Sequence, residues 1–347
     1  MQIGIDTFLS TNLPEAEWGK PDVSRVDDMM EEVKLADQVG LDVYAIGEHH
    51  RPDFVASSPT TLLAAAAAVT KNIILGSAVS VLSSDDPIRL FQQFATVDLI
   101  SHGRAEMVIG RGSFIESYPL FGLDLRDYEK LFTEKLSLLL AVREQVELHW
   151  EGTHRAPLTG QGVYPRPLQT PFPIRIGIGG TPESAVRAGT LGLPLIIAII
   201  GGSIRRFRPL IDLYREAGRR AGHAPEKLEV GVHAVGFLAD SKQEALDTFW
   251  PYHQDHFGRI GRERGWPPTT RAQFDATCGP AGAYLVGEPD YVADKILREA
   301  EALGGIDRIS LVMNGGSHIP QAKMLRCIEL LGTRVAPMLR EGALVRA

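Results

Sequence analysis

The side chains in this chain that could do chemistry stand where apolar runs end. Glu48-His49-His50-Arg51 follows the run 43–47, and an imidazole titrates near neutral pH and can hold or pass a proton. Side chains alternate along a strand, so His49 and His50 point to opposite sides and only one of them can line a given pocket. Arg111 stands between Gly110 and Gly112 after the run 105–109. A guanidinium there has the fork geometry that grips phosphate, and it would serve equally as a rim salt bridge. Gly179-Gly180-Thr181 follows the run 174–178 and leads into Pro182-Glu183-Ser184. Such a strand-to-helix turn has free amides that, with the Thr181 hydroxyl, can hold an anion at a helix N-terminus, or it can be an ordinary connection. It is not a dinucleotide fingerprint, because Pro182 stands where the third glycine of G-x-G-x-x-G, counted from Gly177, should be. Ser77, Ala78 and Val79, within the run 73–81, are small enough to let a flat ring approach the backbone. Plain core packing would use the same residues.

Other chemistries lack their residues. His253-Gln254-Asp255-His256 has the spacing of a metal pair, but on a polar helix it is expected to be a solvated face. Cys278 and Cys327 lie far apart with no histidine at ligand spacing, so neither a disulfide framework nor a metal site is expected. Ile5-Asp6-Thr7 lacks the H-x-H that hydrolytic metal barrels carry on a first strand, and no G-x-S-x-G, H-E-x-x-H or Walker loop occurs. A net charge of −7 without a basic face excludes a nucleic-acid surface. The most apolar run, 193–200, is too short to cross a bilayer, and MQIGIDTF has no basic n-region. A soluble cytoplasmic protein is the expectation.

Elements that could position these residues follow from periodicity. Eight strand signals, at 3–8, 43–47, 73–81, 105–109, 174–178, 193–200, 230–238 and 306–313, alternate with helix signals. Ser83-Ser84-Asp85-Asp86 can cap a helix that opens at Pro87 and turns Ile88, Phe91, Ala95, Leu99 and Ile100 to one side. A long amphipathic helix is expected over 128–148, and another over 241–257. Residues 150–173 suggest an inserted loop or hairpin, and 253–282 show no clear period. The sum is α/β, one domain over 1–347 built as a (β/α)8 TIM barrel with insertions at its carboxyl-edge loops, about 150–173 and 253–282. In that fold function gathers at the carboxyl ends of the strands, where His49, Arg111 and the Gly179 turn all fall.

Glu48-His49-His50, GSAVSVLSSDDPIRLFQQFATVDLISHGRAEMVIGRG from Gly76 and GIGGTPESAVRAGTLGLP from Gly177 together resemble the bacterial-luciferase-like flavin-dependent monooxygenases. The resemblance runs through nearly the whole chain in order, strongest over 43–122 and weak over 253–282. It implies an oxidoreductase that uses reduced FMN and dioxygen on a small organic substrate. It implies Arg111, Gly179, Gly180 and Thr181 at the FMN phosphate, and Ser77 and Ala78 against the isoalloxazine, with a non-proline cis peptide at Ala78-Val79. It makes His49 the active-site histidine, a base or a support for the oxygen that adds to the flavin. Gly110 replaces a cysteine that some luciferases carry, so nothing about thiol modulation transfers. The family also implies a homodimer through helices near the second and third units, and NAD(P)H supplied directly or through a partner flavin reductase. A deazaflavin-dependent barrel, an NAD(P)H-dependent flavin reductase and a flavin-binding barrel without turnover remain open.

Overall fold

Strands that are apolar on both faces need cover on both sides, and a closed ring of parallel strands inside a ring of helices gives it. The computed structural model describes residues 1–112, 114–316 and 318–346 and has that form. Its barrel strands are β1 (Gln2–Thr7), β2 (Val43–Ile46), β3 (Ile74–Ser77), β4 (Ala105–Gly110), β5 (Ile174–Ile178), β6 (Leu195–Ile199), β7 (Val230–Leu238) and β8 (Arg308–Val312). Each pairs in parallel with the next. The ring closes between β8 and β1, with Gln2 opposite Arg308 and Asp6 opposite Val312. Residues 113, 317 and 347, within the expected domain, lie outside the described residues.

The helices are α1 (Val23–Gln38), α2 (Pro59–Val69), α3 (Pro87–Ser101), α4 (Tyr128–Glu144), α5 (Pro182–Leu191), α6 (Arg208–Arg220), α7 (Lys242–Glu263), α8 (Arg271–Cys278), α9 (Pro289–Ala302), α10 (Gln321–Leu330) and α11 (Ala336–Arg346). α3 starts as expected: the Asp86 carboxylate accepts from the Ile88 and Arg89 amides, and Pro87 occupies the first turn. Its buried stripe, however, is Leu90, Phe91, Phe94, Ala95 and Val97, while Leu99 and Ile100 are exposed.

Three boundaries differ from the sequence expectation. α4 stops at Glu144, because Glu147–Trp150 pairs antiparallel with Leu158–Gly162 and takes the chain into a hairpin before 150. α7 runs on to Glu263 and α8 follows, so much of 253–282 is helical. The period was hidden there because the buried stripe of α7 mixes Phe249 and Tyr252 with His253 and His256. The third strand breaks after Ser77 and resumes as Ser80–Val81, and the Ala78-Val79 peptide bond between the two pieces is cis.

Inside the barrel the amino-terminal end is charged and the carboxyl-terminal half is small. The buried Glu106 carboxylate takes both Arg308 and Arg175, and Arg308 also donates to Gln2. Burial raises the Glu106 pKa, but the two guanidiniums outweigh it and hold the group at about 2. Higher up, a Cβ on Gly177 would lie 2.6 Å and one on Gly110 2.7 Å from a Val79 methyl. Only glycine at both positions lets Val79 turn into the barrel.

Candidate active site

The side of the mouth that carries Arg111 and the Gly179 turn is built by β4, β5 and the start of α5. Arg111 follows β4, and its Nη2 donates to Ser184 Oγ at 3.2 Å and reaches Thr181 Oγ1 at 3.5 Å. The guanidinium lies 4.7 Å over the Tyr128 ring and is ion-paired with Glu129. Arg187 on α5 reaches the other oxygen of Glu129 at 3.1 Å. Two guanidiniums therefore hold one half-exposed carboxylate beside a helix N-terminus, the grip a phosphate would ask for. Gly180 has φ +130, a conformation open to glycine alone, and the Gly180 and Thr181 amides have no acceptor among the described residues. Gly179, Gly180 and Thr181 are exposed. Arg111 and the turn, 68 residues apart by number (179 − 111), thus meet at one cradle. Ser184, Glu129 and Arg187 were not singled out in the sequence; Ser184 alone carried a signal, as part of the same turn.

Next to the cradle, Ala78 and Val79 are half-buried while Gly76, Ser77 and Ser80 on either side are covered, so the mouth opens over them. Ser77 is different. Its hydroxyl donates to the Val108 carbonyl at 2.8 Å and accepts from the Val108 amide at 3.1 Å. The side chain thus replaces the ladder where β3 leaves β4, and it is wholly buried.

His49 lies on the β2 side, away from the cradle. Its ring is 4.6 Å from Phe8, 4.4 Å from Phe54 and 5.2 Å from Phe114, centroid to centroid. Burial first, then the charges of Arg51 and His50, lower its pKa to about 3, with the Gly47 carbonyl acting the other way. At neutral pH it is therefore an uncharged imidazole in an apolar chamber, and its Nδ1 has no hydrogen-bond partner among the described residues. His50, which like His49 lies past the end of β2, points elsewhere, with Nε2 2.9 Å from Glu48 Oε1. The two histidines of α7 are not a solvated face: His253 and His256 are buried, His256 stacked on Tyr252 and edge-on to Phe54.

Charged residues tie the loops over this chamber. Arg51 reaches Asp53, Glu116 and Glu263, and so joins the loop after β2 to the segment after β4 and to the end of α7. Arg259 on α7 pairs with Asp53 and Asp255 and lies 4.2 Å over Trp18. Neither arginine carried a sequence signal beyond the closeness of Arg51 to His49. Both cysteines are free and buried, and no group of three or more His, Cys, Asp or Glu among the described residues could hold a metal. Among the described residues no helix is long and apolar enough to cross a membrane.

The chain has counterparts among known proteins. The model of the luciferase-like monooxygenases matches residues 6–306. The chain belongs to that family. A luciferase-like monooxygenase similar to it is the 4-hydroxyprotoasukamycin monooxygenase of Streptomyces nodosus subsp. asukaensis, 26% identical, with 97% of this chain and 92% of the relative covered. Among solved structures, the oxygenating constituent of 3,6-diketocamphane monooxygenase from Pseudomonas putida, in complex with FMN, superposes with a TM-score of 0.78 at 22% identity over 98% of each chain. The coenzyme F420-dependent tetrahydromethanopterin reductase of Methanopyrus kandleri reaches 0.73 at 17% identity, over 98% of this chain and 100% of that one. These two structures share the barrel with this luciferase-like chain.

Proposed function

We propose that this luciferase-like protein is a monooxygenase that uses reduced FMN and dioxygen to oxidise a small organic substrate. The observation that carries it is the Arg111 cradle, two guanidiniums and two unpartnered amides at a helix N-terminus, placed beside the open Ala78-Val79 edge. That set fits a flavin mononucleotide: Arg111, Ser184, Thr181 and the Gly180 amide would hold the phosphate, and the ring would lie along Ala78. The bound flavin supplies the electrons and the activation of dioxygen. The FMN complex of the diketocamphane relative supports the same cofactor.

The chain's own contribution is placement and dryness. His49 holds its lone pair and proton uncharged in a wall of Phe8, Phe54 and Phe114, where it can take or give one hydrogen bond to a reacting oxygen without bringing water. Arg51 and Arg259 close the loops above it while their charges are spent on carboxylates. A homodimer through α2 and α3, whose outer faces expose Val69, Leu99 and Ile100, belongs to the same proposal, as does a cytoplasmic location. Sedimentation velocity checks the dimer.

The deciding experiment is a titration of the purified protein with FMN and with the deazaflavin F420, followed by oxygen uptake with chemically reduced FMN, with and without NADPH. FMN binding and uptake only with pre-reduced flavin fit a monooxygenase served by a partner reductase; uptake driven by NADPH alone makes the protein its own reductase. Preference for F420, the cofactor of the Methanopyrus relative, overturns the FMN assignment. Turnover that survives His49→Ala removes His49 from the chemistry.

A further inference from the structure

One polar set in the upper barrel is used neither by the cradle nor by the His49 chamber. Asp6 on β1, Ser310 on β8 and His233 on β7 come from three neighbouring strands. Asp6 and Ser310 are fully buried and His233 is 7% exposed. His233 Nδ1 lies 2.5 Å from Asp6 Oδ2, close but not aligned as a hydrogen bond. Neither Asp6 oxygen nor Ser310 Oγ has a hydrogen-bond partner among the described residues. A carboxylate removed from water in this way depends on the imidazole beside it.

His233 is also the member of the set that meets open space. It stands in register with Ala198 on β6, and Ala198 is exposed although it lies within a barrel strand. The mouth therefore reaches down to the level of His233. With Nδ1 turned to Asp6, the far ring nitrogen, Nε2, is left for that space.

We propose that His233 is a second imidazole of the active site, exchanging a proton with the substrate through Nε2, and that Asp6 is the positioning residue that holds it. This rests on the flavin reading in one respect: the flavin-holding residues follow β3, β4 and β5, so the wall formed by β7, β8 and β1 faces the substrate. Carboxylate-held histidines work in this way, because the partner at one nitrogen fixes the tautomer and direction of the other. In the step, Nε2 takes a proton from a substrate O–H or N–H as that bond breaks, the electron pair stays on the oxygen or nitrogen, and the ring's new charge rests against Asp6. The substrate class is an organic molecule with a hydroxyl or N–H to give. His49 supplies no such step in its own place, since among the described residues no carboxylate lies within ion-pair distance of its ring.

Diethyl pyrocarbonate footprinting of the unmodified chain, read by peptide mass spectrometry, tests this without a variant and without turnover. His233 is expected to be acylated, His253, both of whose ring nitrogens are buried, to be spared, and the exposed His154 to serve as control. Saturating oxidised FMN, which covers the mouth, is expected to slow acylation of His233 at least about tenfold and to leave His154 unchanged. If FMN binds and His233 is unreactive or unprotected, the His233 assignment fails while the flavin reading stands. If neither FMN nor F420 binds, the flavin reading fails and this assignment with it. For Asp6, nitrogen-15 spectra of the His233 ring in Asp6→Asn are expected to change the tautomer ratio at least about fivefold. An unchanged ratio removes Asp6 as the positioning residue.

Discussion

Acid should weaken this protein well above the pH at which an ordinary carboxylate is protonated, and three buried histidines set the size of the effect. Burial, the largest cause in each case, lowers the pKa of His49 to about 3, of His253 to about 4 and of His256 to about 3. In the unfolded chain each titrates near 6.5. The unfolded state then takes up protons that the folded state refuses, so the stability is whole above about pH 6.5 and is lost as pH falls toward 4. At pH 5 each histidine is about 1.5 units below 6.5, worth about 2 kcal/mol, and the three together about 6 kcal/mol. Asp85 opposes them, because burial and Glu48 raise its pKa to about 6 and the folded state protonates it first. That returns about 1.4 kcal/mol by pH 5. Glu32, raised by burial against the pull of Arg25, adds in the same direction as Asp85. A net loss of about 4 kcal/mol remains, a large part of an ordinary stability of about 5–15 kcal/mol. His253→Phe isolates one term. Its ring sits among Phe257, Phe274, Tyr284 and Trp250 with neither nitrogen hydrogen-bonded among the described residues. Urea unfolding at pH 7 and pH 5, at constant ionic strength, should show the variant losing about 2 kcal/mol less than the parent. Equal losses would mean that His253 is already protonated or hydrated when folded, and the reasoning from burial would be refuted.

Five further outcomes follow from named contacts. Arg111→Ala should weaken FMN binding about 10- to 100-fold in a fluorescence titration, as the loss of a charge-assisted pair does, whereas Glu129→Gln should tighten it about two- to fivefold by removing the carboxylate that competes for Arg111. Arg51→Ala breaks the join to Glu116 and Glu263, and hydrogen exchange in 48–54 and at the end of α7 should quicken at least about tenfold. Gly177→Ala forces a Cβ against the Val79 methyl and should cost about 1–3 kcal/mol in urea unfolding. Glu106→Gln leaves Arg308 and Arg175 buried with half their partner and should cost about 3–5 kcal/mol in the same assay.

What was legible in the sequence was what one local segment decides. Runs such as 105–109 and 230–238 are apolar on both faces but for Glu106 and His233, and a strand covered on both sides uses them so, which is why the barrel could be counted out. The Gly179-Gly180-Thr181 turn and Arg111 were visible for the same reason, each being fixed by its own strand end. Partners from distant segments were not visible. Glu129 and Arg187 sit on α4 and α5, where charged residues look like an ordinary solvated surface until the barrel brings both to Arg111. His253 and His256 looked polar because composition does not show that Trp250, Phe257, Phe274 and Tyr284 surround one of them and Tyr252 and Phe54 the other. Ser77 was placed on the right strand end, but alternation alone does not show its hydroxyl spanning the gap to Val108.

The distribution of charge around the mouth gives the proposed chemistry its logic. On the β4–β5 side two part-buried guanidiniums stand beside exposed free amides, where a phosphate would find charge-assisted partners and lose little in shedding water. On the β2 side His49 is kept uncharged among Phe8, Phe54 and Phe114, and the arginines above it are spent on Asp53, Glu116 and Glu263. A reactive oxygen species formed between those two sides would meet hydrogen-bonding groups but no acid able to discharge it early, since His49 and His256 hold no proton to spare until pH falls to about 3. Proton exchange with a substrate then falls to another group of the barrel. The Asp6–His233 pair on the third wall is the group whose surroundings, a buried carboxylate on one nitrogen and the open mouth on the other, suit that task.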